Sequence, residues 1–464
     1  MRAGRVRYAV ATGGDASGGS KRSSPPLARP PEWTARCRPG PAIGKTDTLG
    51  QNARMQDIQL YEQILGLEEP WRVKQVTLNR TAAEVQIEVE CLETVWGCPQ
   101  CQQRMHVHGW EKRRWRHLDS CQFKTIILAE VPQVRCAEHG TQTVAVPWAE
   151  KYARLTRRFE RLAIDVMKEC SILGACEILR ISWDEADGIK QRAVARGLAR
   201  KEPRVMKRLC VDEKAVGVGH QYMTIVAEIT PETTARVESV GEERTQASLD
   251  AFWRSLTDEQ LQGVEAVAMD LWEPYLSSTR AHVPEAEGKI CHDPYHLVSH
   301  MNDALNQVRK REHQSLSQQG DASLAGSRYT WLYGWENLPE NKQVQWQSLS
   351  GQGLKTARAW RIKEAFRWFW WLPNRAQASA YLQEWYGWAV RSRLEPVKKV
   401  ARMFKRHWER ILNYFDHHLT NGPMEGLNNK IQSLIKKAYG YRNKQRFKTD
   451  VLFHLGGLDL YPAQ

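Results

Sequence analysis

Two acidic residues that are far apart in the chain lie where carboxylates can do chemistry. Asp212 follows the apolar stretch LCV, and Asp270 ends a second such stretch, VEAVAMD. Both stretches predict short buried strands, and open α/β sheets bind ligands at the C-terminal ends of such strands. Two strands of this kind, placed side by side, would bring both carboxylates to one edge of a sheet.

A third acid, Glu425, lies at the start of a segment with helical periodicity. Pro423 suits the first turn of a helix, which the sequence predicts over residues 423–438. One face of this helix is apolar and the opposite side is polar; the first contains Leu427, Ile431, Leu434, Ile435 and Ala438, the second Glu425, Asn429, Gln432 and Lys436. The apolar face can pack on the sheet while Glu425 is directed at the two aspartates.

Three carboxylates that meet in one place predict a site for divalent cations. Without cations they would repel one another and take up protons. Mg²⁺, or Mn²⁺ in its place, accepts oxygen ligands and keeps bound water. Two such ions can activate an attacking oxygen and stabilise the leaving oxygen of a phosphodiester. Any one of these acids taken alone would be read as an ordinary residue at a strand end or helix start.

A second cluster of metal-binding residue types lies nearer the N-terminus. Cys98 and Cys101 form one pair with two intervening residues, and Cys136 and His139 form another. Two such pairs can present four ligands tetrahedrally to Zn²⁺, and the segment between them, FKTIILAEV, is typical of a strand. We therefore predict a zinc ribbon, in which four other residues compete as ligands: Cys91, Cys121, His106 and His108. The ten cysteines are too unevenly spaced for a disulfide framework.

Residues 152–200 predict three helices with breaks near Gly174 and at Ile181–Ser182. Ser182 can cap the last helix, and the spacing is typical of a helix-turn-helix with residues 183–196 as the recognition helix. On that helix Lys190, Arg192 and Arg196 are predicted to contact DNA phosphates. The alternative is three packed helices with no role in DNA binding.

The remaining periodicities predict an α/β protein with a helical segment. Residues 71–90 indicate a β-hairpin, and residues 207–230 indicate two strands joined by a short turn containing glycine. A third strand is predicted at 236–241, a helix at 246–261, and short strands at VEAVAMD and KICHD. Residues 296–420 are predicted to be largely helical. They contain ten tryptophans, most of which we expect in a core and one or two stacked on DNA bases.

Composition adds a weak indication of a polyanionic partner. The net charge is +14, but residues 1–54 hold ten Lys/Arg against three Asp/Glu, which is half of that excess. That segment is rich in Gly, Pro and Ser, and we expect it to be a disordered basic extension, with Met55 as the natural start. An alternative is a basic arm that contacts DNA. No secretory signal or transmembrane span is recognisable, so we expect a cytoplasmic, nucleoid-associated protein.

Four motifs together resemble one known family. The stretches VDEKAVG, VAMDLWEPY, CHDPYHLV and TNGPMEGLNNKIQSLIKKAYGYRN look like those of bacterial insertion-sequence transposases of the ISL-three family. The resemblance implies a zinc ribbon, a helix-turn-helix and a DDE catalytic domain of ribonuclease H-like fold with a large helical insertion. It implies Asp212 as the first acid and Glu425 as the third. In a ribonuclease H-like order the second acid is Asp270, with Asp293 after the next strand as the alternative.

The resemblance also implies partners and a domain order. The expected partners are the terminal inverted repeats and target DNA, bound by a homodimer or higher oligomer, with Lys436, Lys437 and Arg442 holding phosphates beside the third acid. The predicted segments are an extension (1–54), N-terminal strands and zinc ribbon (55–150), helix-turn-helix module (151–203), first part of the catalytic domain (204–300), helical insertion (301–420), and final helix and C-terminus (421–464). A non-catalytic DNA-binding regulator and a nuclease of other purpose are the alternatives.

Overall fold

The computed structural model describes residues 57–217, 221–230 and 234–463. The predicted N-terminal extension, the predicted start at Met55 and the turn at 218–220 therefore lie outside the described residues. Within the described ranges, each helix is too short or too polar to cross a lipid bilayer.

The N-terminal region is built on a six-stranded sheet preceded by one helix, α1 (Asp57–Leu65). Its strands are β1 (Trp71–Asn79), β2 (Glu84–Cys91), β3 (Val95–Gly97), β4 (Arg104–Ser120), β5 (Phe123–Cys136) and β6 (Gly140–Thr143). The order is β1-β2-β5-β4-β3, with β6 paired to the far end of β5. Strands β1 and β2 are antiparallel, which confirms the hairpin predicted at 71–90.

This sheet is held by a small aromatic core. The ring of Trp148 packs edge-on against those of Trp71 and Trp115, with centroids 5.0 and 5.4 Å apart. All three side chains are buried with the inward-facing valines and isoleucines of the strands. Edge-to-face packing suits the ring quadrupoles and adds about 0.5–1.5 kcal/mol per pair beyond area burial.

Three helices follow the first sheet: α2 (Arg157–Glu169), α3 (Ile172–Leu179) and α4 (Trp183–Ala199). The break predicted near Gly174 is present but lies three residues earlier, at Ser171, whose hydroxyl caps α3, so Gly174 itself is inside that helix. The second break and its cap are confirmed. Ser182 accepts a hydrogen bond from the backbone N–H of Glu185, whose carboxylate accepts one from the Ser182 N–H, forming a capping box.

A five-stranded mixed sheet forms the centre of the C-terminal region. Its strands are β7 (Arg208–Gly217), β8 (Gln221–Ile229), β9 (Ala235–Glu242), β10 (Ala266–Met269) and β11 (Ile290–His292). The order is β11-β10-β7-β8-β9. Strands β7, β8 and β9 are antiparallel neighbours, whereas β10 and β11 run parallel to β7. All the predicted strands of this region are present.

Helices cover both faces of the second sheet. Between its strands lie α5 (Gln246–Arg254), α6 (Asp258–Gln262), α7 (Glu273–His282) and α8 (Ala286–Lys289). The single helix predicted at 246–261 is wrong, because Thr257 and Gln260 form a capping box that starts a new helix. Leu209 and Val211 on one face of β7 pack against α5 and α7, and Cys210 on the other face packs with the helix-turn-helix and the C-terminal helices.

A helical segment separates the sheet from the last two helices. It consists of α9 (Pro294–Gln318), α10 (Arg328–Leu332), a 3₁₀ turn (Trp335–Asn337), α11 (Glu340–Ser350), α12 (Lys355–Phe369), α13 (Arg375–Arg391), α14 (Glu395–Arg406), α15 (Trp408–Leu412) and α16 (Tyr414–His417). Helix α9 runs across the predicted boundary at 300/301, and its buried apolar side chains from Leu297 to Val308 pack in the core of the helical segment. Trp331, Trp360 and Trp385 are buried in the core of this segment, as expected for most of its tryptophans.

The chain returns to the second sheet through α17 (Gly422–Lys437) and α18 (Lys444–Leu455). Met424, Leu427 and Ile431 of α17 are buried against the sheet face that carries Cys210. The predicted apolar stripe of this helix is thus confirmed where it meets the sheet. A tight turn between the two helices places Tyr439 and Gly440 at positive φ.

Candidate active site and metal centres

The carboxyl ends of three neighbouring parallel strands place three aspartates at one level. Ala268 of β10 pairs with Cys210 of β7, so Asp270 and Asp212 are each two residues beyond that pair. Met269 pairs with His292 of β11, so Asp293 is level with Asp270. Side chains alternate along a strand. The three aspartates therefore continue the sheet face covered by α17.

Two of these aspartates form a compact acidic cluster with a residue that sequence reasoning did not single out. Carboxylate oxygens of Asp212, Glu213 and Asp270 all lie within 4.8 Å of one another. Asp212 is held by two hydrogen bonds, from the Glu213 backbone N–H (2.8 Å) and from Nδ2 of Asn428 (2.6 Å). Nε2 of His296 lies 3.1 Å from Oδ1 of Asp270. This cluster is the candidate active site.

The charges of the cluster are incompletely balanced by the protein. Burial raises the pKa of Asp270 to about 6, with His296 opposing the shift and Asp212 and Asp293 adding to it. Burial likewise raises the pKa of Glu213 to about 7, opposed by Arg244 and reinforced by Asp212 and Asp270. Both directions mean that the ionised carboxylates are destabilised here unless a positive charge joins them.

Unsatisfied oxygen atoms at the cluster fit a divalent cation. Oε2 of Glu213 and Oδ1 of Asn428 are buried and accept no hydrogen bond within the described residues, whereas Oδ1 of Asp270 has Nε2 of His296 beside it at 3.1 Å. A buried acceptor without a donor costs about 1–3 kcal/mol. Oxygen-only donors in this number suit Mg²⁺ or Mn²⁺ better than a thiophilic metal. The residues present thus fit the hard cation that the sequence predicts.

Asp293 is placed differently from Asp270. Its side chain is buried, and its Oδ1 accepts a hydrogen bond from the backbone N–H of Asn421 at 3.1 Å. Burial raises its pKa, opposed first by that hydrogen bond. Asn421 immediately precedes α17, so Asp293 braces the chain where it enters the helix that carries Glu425. This contact fixes the start of α17, and among the described residues Asp293 lies outside the acidic cluster.

Glu425 lies in the first turn of α17, outside the acidic cluster. Its side chain is exposed and makes no hydrogen bond or ion pair with any residue that the structure describes. Asn428 lies one helical turn later on the same side, and its side-chain amide donates a hydrogen bond to Asp212. The backbone carbonyl of Asn428 accepts a hydrogen bond from Nζ of Lys214 at 3.2 Å. The structure therefore brings Asp212 and Asp270 together and puts Glu425 one turn away from a residue that touches Asp212.

The predicted zinc ligands converge at the tips of two hairpins. Cys98 and Cys101 lie between β3 and β4, Cys136 ends β5, and His139 lies between β5 and β6. The four ligand atoms lie within 4.8 Å of one another. The separations are 3.7 Å for Cys101 and Cys136, and 3.8 and 3.5 Å from His139 Nδ1 to the Cys98 and Cys136 sulfurs. Ligands about 2.0–2.3 Å from a tetrahedral zinc ion are spaced by about 3.5–3.8 Å.

The zinc cluster can be compared with the four residues that the sequence offered as competing ligands. Among the described residues it contains none of the four rivals, Cys91, Cys121, His106 and His108. A hydrogen bond from the His139 backbone, together with one from its side chain, lowers the pKa of the Cys136 thiol to about 6. A thiol shifted in this direction is readily available as thiolate for a metal.

The basic residues of α4 are engaged inside the protein. Lys190 is buried, and its Nζ lies 2.7 Å from Oδ1 of Asp450 on α18. Arg196 and Arg192 both pair with the buried carboxylate of Glu160, at 2.9 and 3.2 Å. Lys190 cannot contact a phosphate unless its ion pair opens. The predicted DNA contacts of these three residues stay predictions, and Arg192 is the most exposed of them.

The same helix is fixed to the C-terminal part of the chain at two further points. A Cβ at Gly197 would come within 2.7 Å of the Cβ of Leu458, so the glycine permits a close approach of the two segments. Near the start of α4, Nε of Arg446 lies 3.3 Å from a carboxylate oxygen of Asp187. We call this contact region between α4 and the segment from Lys444 to Leu460 the seam.

The basic residues predicted beside the third acid are mostly at the surface. Lys436 and Arg442 are exposed, and Lys437 donates to the backbone carbonyl of Glu169 at 2.8 Å. In the helical segment, Trp368 and Trp371 are the most exposed tryptophans, at 67% and 78%. They are the residues to which the base-stacking prediction applies.

Sequence reasoning missed Glu213, Asn428 and Arg244, which lie at or next to the cluster. Glu213 was adjacent to a proposed acid, but alternation along a strand predicts that it faces away from Asp212. Asn428 could have been found from its position three residues after Glu425 on the same side of the predicted helix. Arg244 follows β9, and nothing in its local sequence connects it with β7.

Comparison with known proteins identifies each region in turn. A family model described as "Transposase", for the DDE domain of ISL3 (ISL-three) elements, matches residues 209–451. A model described as "zinc-finger of transposase IS204/IS1001/IS1096/IS1165" matches residues 94–139. A third, "Helix-turn-helix domain of transposase family ISL3", matches residues 144–194. The order of the three matches confirms the order that the sequence predicts.

Two relatives are similar over most of their length. The transposase for insertion sequence element IS1557 of Mycobacterium tuberculosis is 25% identical over 441 residues, covering 87% of this chain and 96% of the relative. The transposase for insertion sequence element IS1001 of Bordetella parapertussis is 24% identical over 385 residues, covering 82% and 91%. Since the DDE-domain match alone spans more than half of the 464 residues, the chain belongs to the ISL3 family of insertion-sequence transposases.

Proposed function

We propose that this chain is an active DDE transposase that cuts the ends of an insertion sequence and joins them to target DNA. The observation that carries the proposal is the acidic cluster, in which Asp212 and Asp270 meet at the carboxyl ends of adjacent parallel strands. Within it Oε2 of Glu213 is buried and lacks a hydrogen-bond donor among the described residues, as expected of a group that ligates a cation. The cluster lies within the residues matched by the DDE-domain model.

The arrangement of the second sheet supports a ribonuclease H-like fold for this domain. Numbered along the chain within the sheet, its five strands have the order 3-2-1-4-5. The first three are antiparallel neighbours and the last two run parallel to the first. The resemblance of the sequence implies this fold, and we propose it for residues 204–300 together with 421–464.

The proposed catalytic acids are Asp212, Asp270 and Glu425, with Asp293 as a positioning residue. Bound Mg²⁺ or Mn²⁺ would activate the attacking oxygen and stabilise the leaving oxygen of a phosphodiester. Asn428 orients Asp212, and Asp293 holds the backbone at the start of α17. Glu425 is exposed in the first turn of that helix, and we propose that it turns toward the aspartates when DNA is bound.

Two phosphoryl transfers account for cleavage and joining. In the first, a water oxygen forms a bond to phosphorus at the transposon end while the bond from phosphorus to the 3′ oxygen breaks, and that oxygen leaves as a 3′-hydroxyl. In the second, the 3′-hydroxyl forms a bond to a target phosphorus while the target's own P–O3′ bond breaks. Neither step needs a covalent bond to the protein.

The N-terminal modules are proposed to recognise the DNA. The zinc ribbon and helix-turn-helix would bind the terminal inverted repeats, and the exposed Lys436 and Arg442 would hold backbone phosphates near the active site. Joining two ends in one reaction requires two active sites, so we propose a homodimer or higher oligomer on DNA.

The proposal is tested by cleavage of a DNA duplex that carries the terminal inverted repeat, in Mg²⁺. Asp212→Asn and Glu425→Gln should each abolish cleavage and strand transfer, while both variants keep wild-type affinity for the repeat. Glu265→Gln, at an exposed acid before β10, is the matched control and should cut at the wild-type rate. Full cleavage by either active-site variant contradicts the proposal, and tight binding without cleavage by the unaltered protein would favour a regulator.

A further inference from the structure

We infer that Glu213 is a further ligand of the divalent cation, reaching it from the face of the sheet opposite to Glu425. This inference rests on the proposed function, because it concerns the same metal site. It adds a fourth carboxylate to the three acids that the family resemblance implies. It also divides the site into two parts. Asp212, Glu213 and Asp270 are assembled in the protein without DNA, and Glu425 joins them when DNA is bound.

The end of β7 explains how two consecutive residues reach one cation. Along the strand, Asp212 continues the face of Cys210, and Glu213 continues the face of Val211. Strand β10 ends at Met269, so β7 has lost its neighbour on that side at Asp212 and Glu213. Asp270 leaves β10 at this point and is close to side chains from both faces. Carboxylate oxygens of Asp212, Glu213 and Asp270 therefore lie within 4.8 Å of one another.

The position of Glu213 is set by Arg244 and Trp272. A terminal nitrogen of Arg244 lies 3.1 Å from Oε1 of Glu213, and its guanidinium group lies 4.2 Å from the ring centroid of Trp272. Oε1 is thereby used by the ion pair. Oε2 is buried and accepts no hydrogen bond from the described residues.

A purely structural ion pair does not account for this arrangement. An arginine can satisfy both carboxylate oxygens in a bidentate pair, and this geometry is common. Here one oxygen of Glu213 is left without a donor while two further carboxylates lie close to it. Adding a cation between the three groups satisfies the unpaired oxygen of Glu213 and offsets the repulsion among the carboxylates.

The inference predicts that the cation binds before Glu425 arrives. Asp212, Glu213 and Asp270 are already within ligand distance of one another in the protein alone. Glu425 is exposed and is not part of this group. Cation affinity without DNA should therefore depend on Glu213 and hardly at all on Glu425, whereas DNA cleavage should depend on both.

The experiment is a calorimetric titration of the zinc-loaded, DNA-free full-length protein with Mn²⁺. Glu213→Gln should weaken Mn²⁺ binding by about tenfold or more, and Glu425→Gln by less than about threefold. Glu242→Gln, at an exposed acid that ends β9 two residues before Arg244, is the matched control and should bind as the unaltered protein does. Unchanged affinity in Glu213→Gln, or an equal loss in Glu425→Gln, would overturn the inference.

Two additions separate this outcome from loss of folding and from failure of the proposed function. Glu213→Asp keeps the charge with a shorter side chain, and we expect Mn²⁺ affinity between those of the unaltered protein and Glu213→Gln; wild-type affinity would count against the inference. Asp212→Asn reports on the site itself. If it weakens binding and the Glu213 variants do not, only the inference fails. If Asp212→Asn binds Mn²⁺ normally, the proposed function fails as well.

Discussion

The two candidate metal sites of this protein are built in opposite ways. The zinc ligands come from two hairpin tips of one small sheet, and all four lie together with the spacing that zinc requires. The acidic site draws on two strand ends and a helix from remote parts of the chain, and one proposed ligand, Glu425, is outside the group. A structural zinc site is closed and complete, whereas a catalytic site keeps room for substrate.

The largest expected effect tests which aspartate belongs to the open site. Asp270→Asn should reduce DNA cleavage by about 10³-fold or more, because losing a metal ligand removes several kcal/mol of transition-state stabilisation. Asp293→Asn should reduce it far less, because Asp293 holds the Asn421 backbone and not the cluster. The measurement is single-turnover cleavage in Mg²⁺.

Mn²⁺ titration of the same two variants provides the control. Asp293→Asn should retain wild-type affinity for Mn²⁺, and Asp270→Asn should lose it. The reverse pattern would make Asp293 the second acid.

The second prediction tests whether the zinc site is closed and structural. Cys136→Ser should abolish zinc binding and unfold the ribbon, since zinc contributes about 10–16 kcal/mol to folding in isolated zinc-finger peptides. Metal analysis of the purified protein and limited proteolysis of residues 94–139 measure the outcome. The exposed Cys121, replaced by Ser, is the control and should retain one zinc per chain. A ribbon that resists proteolysis without zinc would remove the contrast between the two sites.

The third prediction concerns the seam between α4 and the segment from Lys444 to Leu460. Asp450→Asn leaves the buried Lys190 without its carboxylate partner and should lower the free energy of unfolding by about 3 kcal/mol. The Glu265→Gln change breaks the exposed pair with Lys207 and should cost less than about 1 kcal/mol. Urea denaturation measures both. Equal losses of unfolding free energy in the two variants would show that the buried Lys190–Asp450 pair contributes no more to stability than an exposed pair.

The smallest expected effect is on DNA binding beside the open site. Lys436→Ala together with Arg442→Ala removes two exposed positive charges and should weaken binding of the inverted repeat a few-fold. The slope of log affinity against log salt should fall by about 1–2, because fewer counterions are released. A change in the preferred sequence without a change in that slope would argue against phosphate contacts.

The contrast between the two metal sites also explains what could be predicted from the sequence. The zinc ligands follow from local spacing, since each pair lies on one hairpin tip and the strands between them are recognisable. The alignment of Asp212, Asp270 and Asp293 at one edge of the sheet follows from the ends of three predicted strands and from an assumed order of those strands in the sheet. What the sequence does not contain is where β10 stops relative to β7, and that offset admits Glu213 to the site.

The basic residues of α4 show a second feature that could not be predicted from the sequence. Lys190 and Arg196 have the composition and spacing of a DNA-contacting helix face. Their burial depends on Asp450 and Glu160, which belong to helices elsewhere in the chain. Local periodicity cannot distinguish a solvated charged face from one matched by buried carboxylates. The Ser182 cap, in contrast, was predictable because its partner is three residues away.

The seam has a consequence for the spacing of sequences on DNA under the proposed function. Helix α4 is joined to the C-terminal segment by the buried Lys190–Asp450 pair, by the partly exposed pair of Asp187 with Arg446 and by the close approach of Gly197 to Leu458, so the helix-turn-helix and the acidic site are packed together. Under the proposed function, such packing means that protein dimensions set the number of base pairs between the recognised sequence and the cut bond. An insertion sequence served by this protein would tolerate base changes between those two points far better than a change in their number.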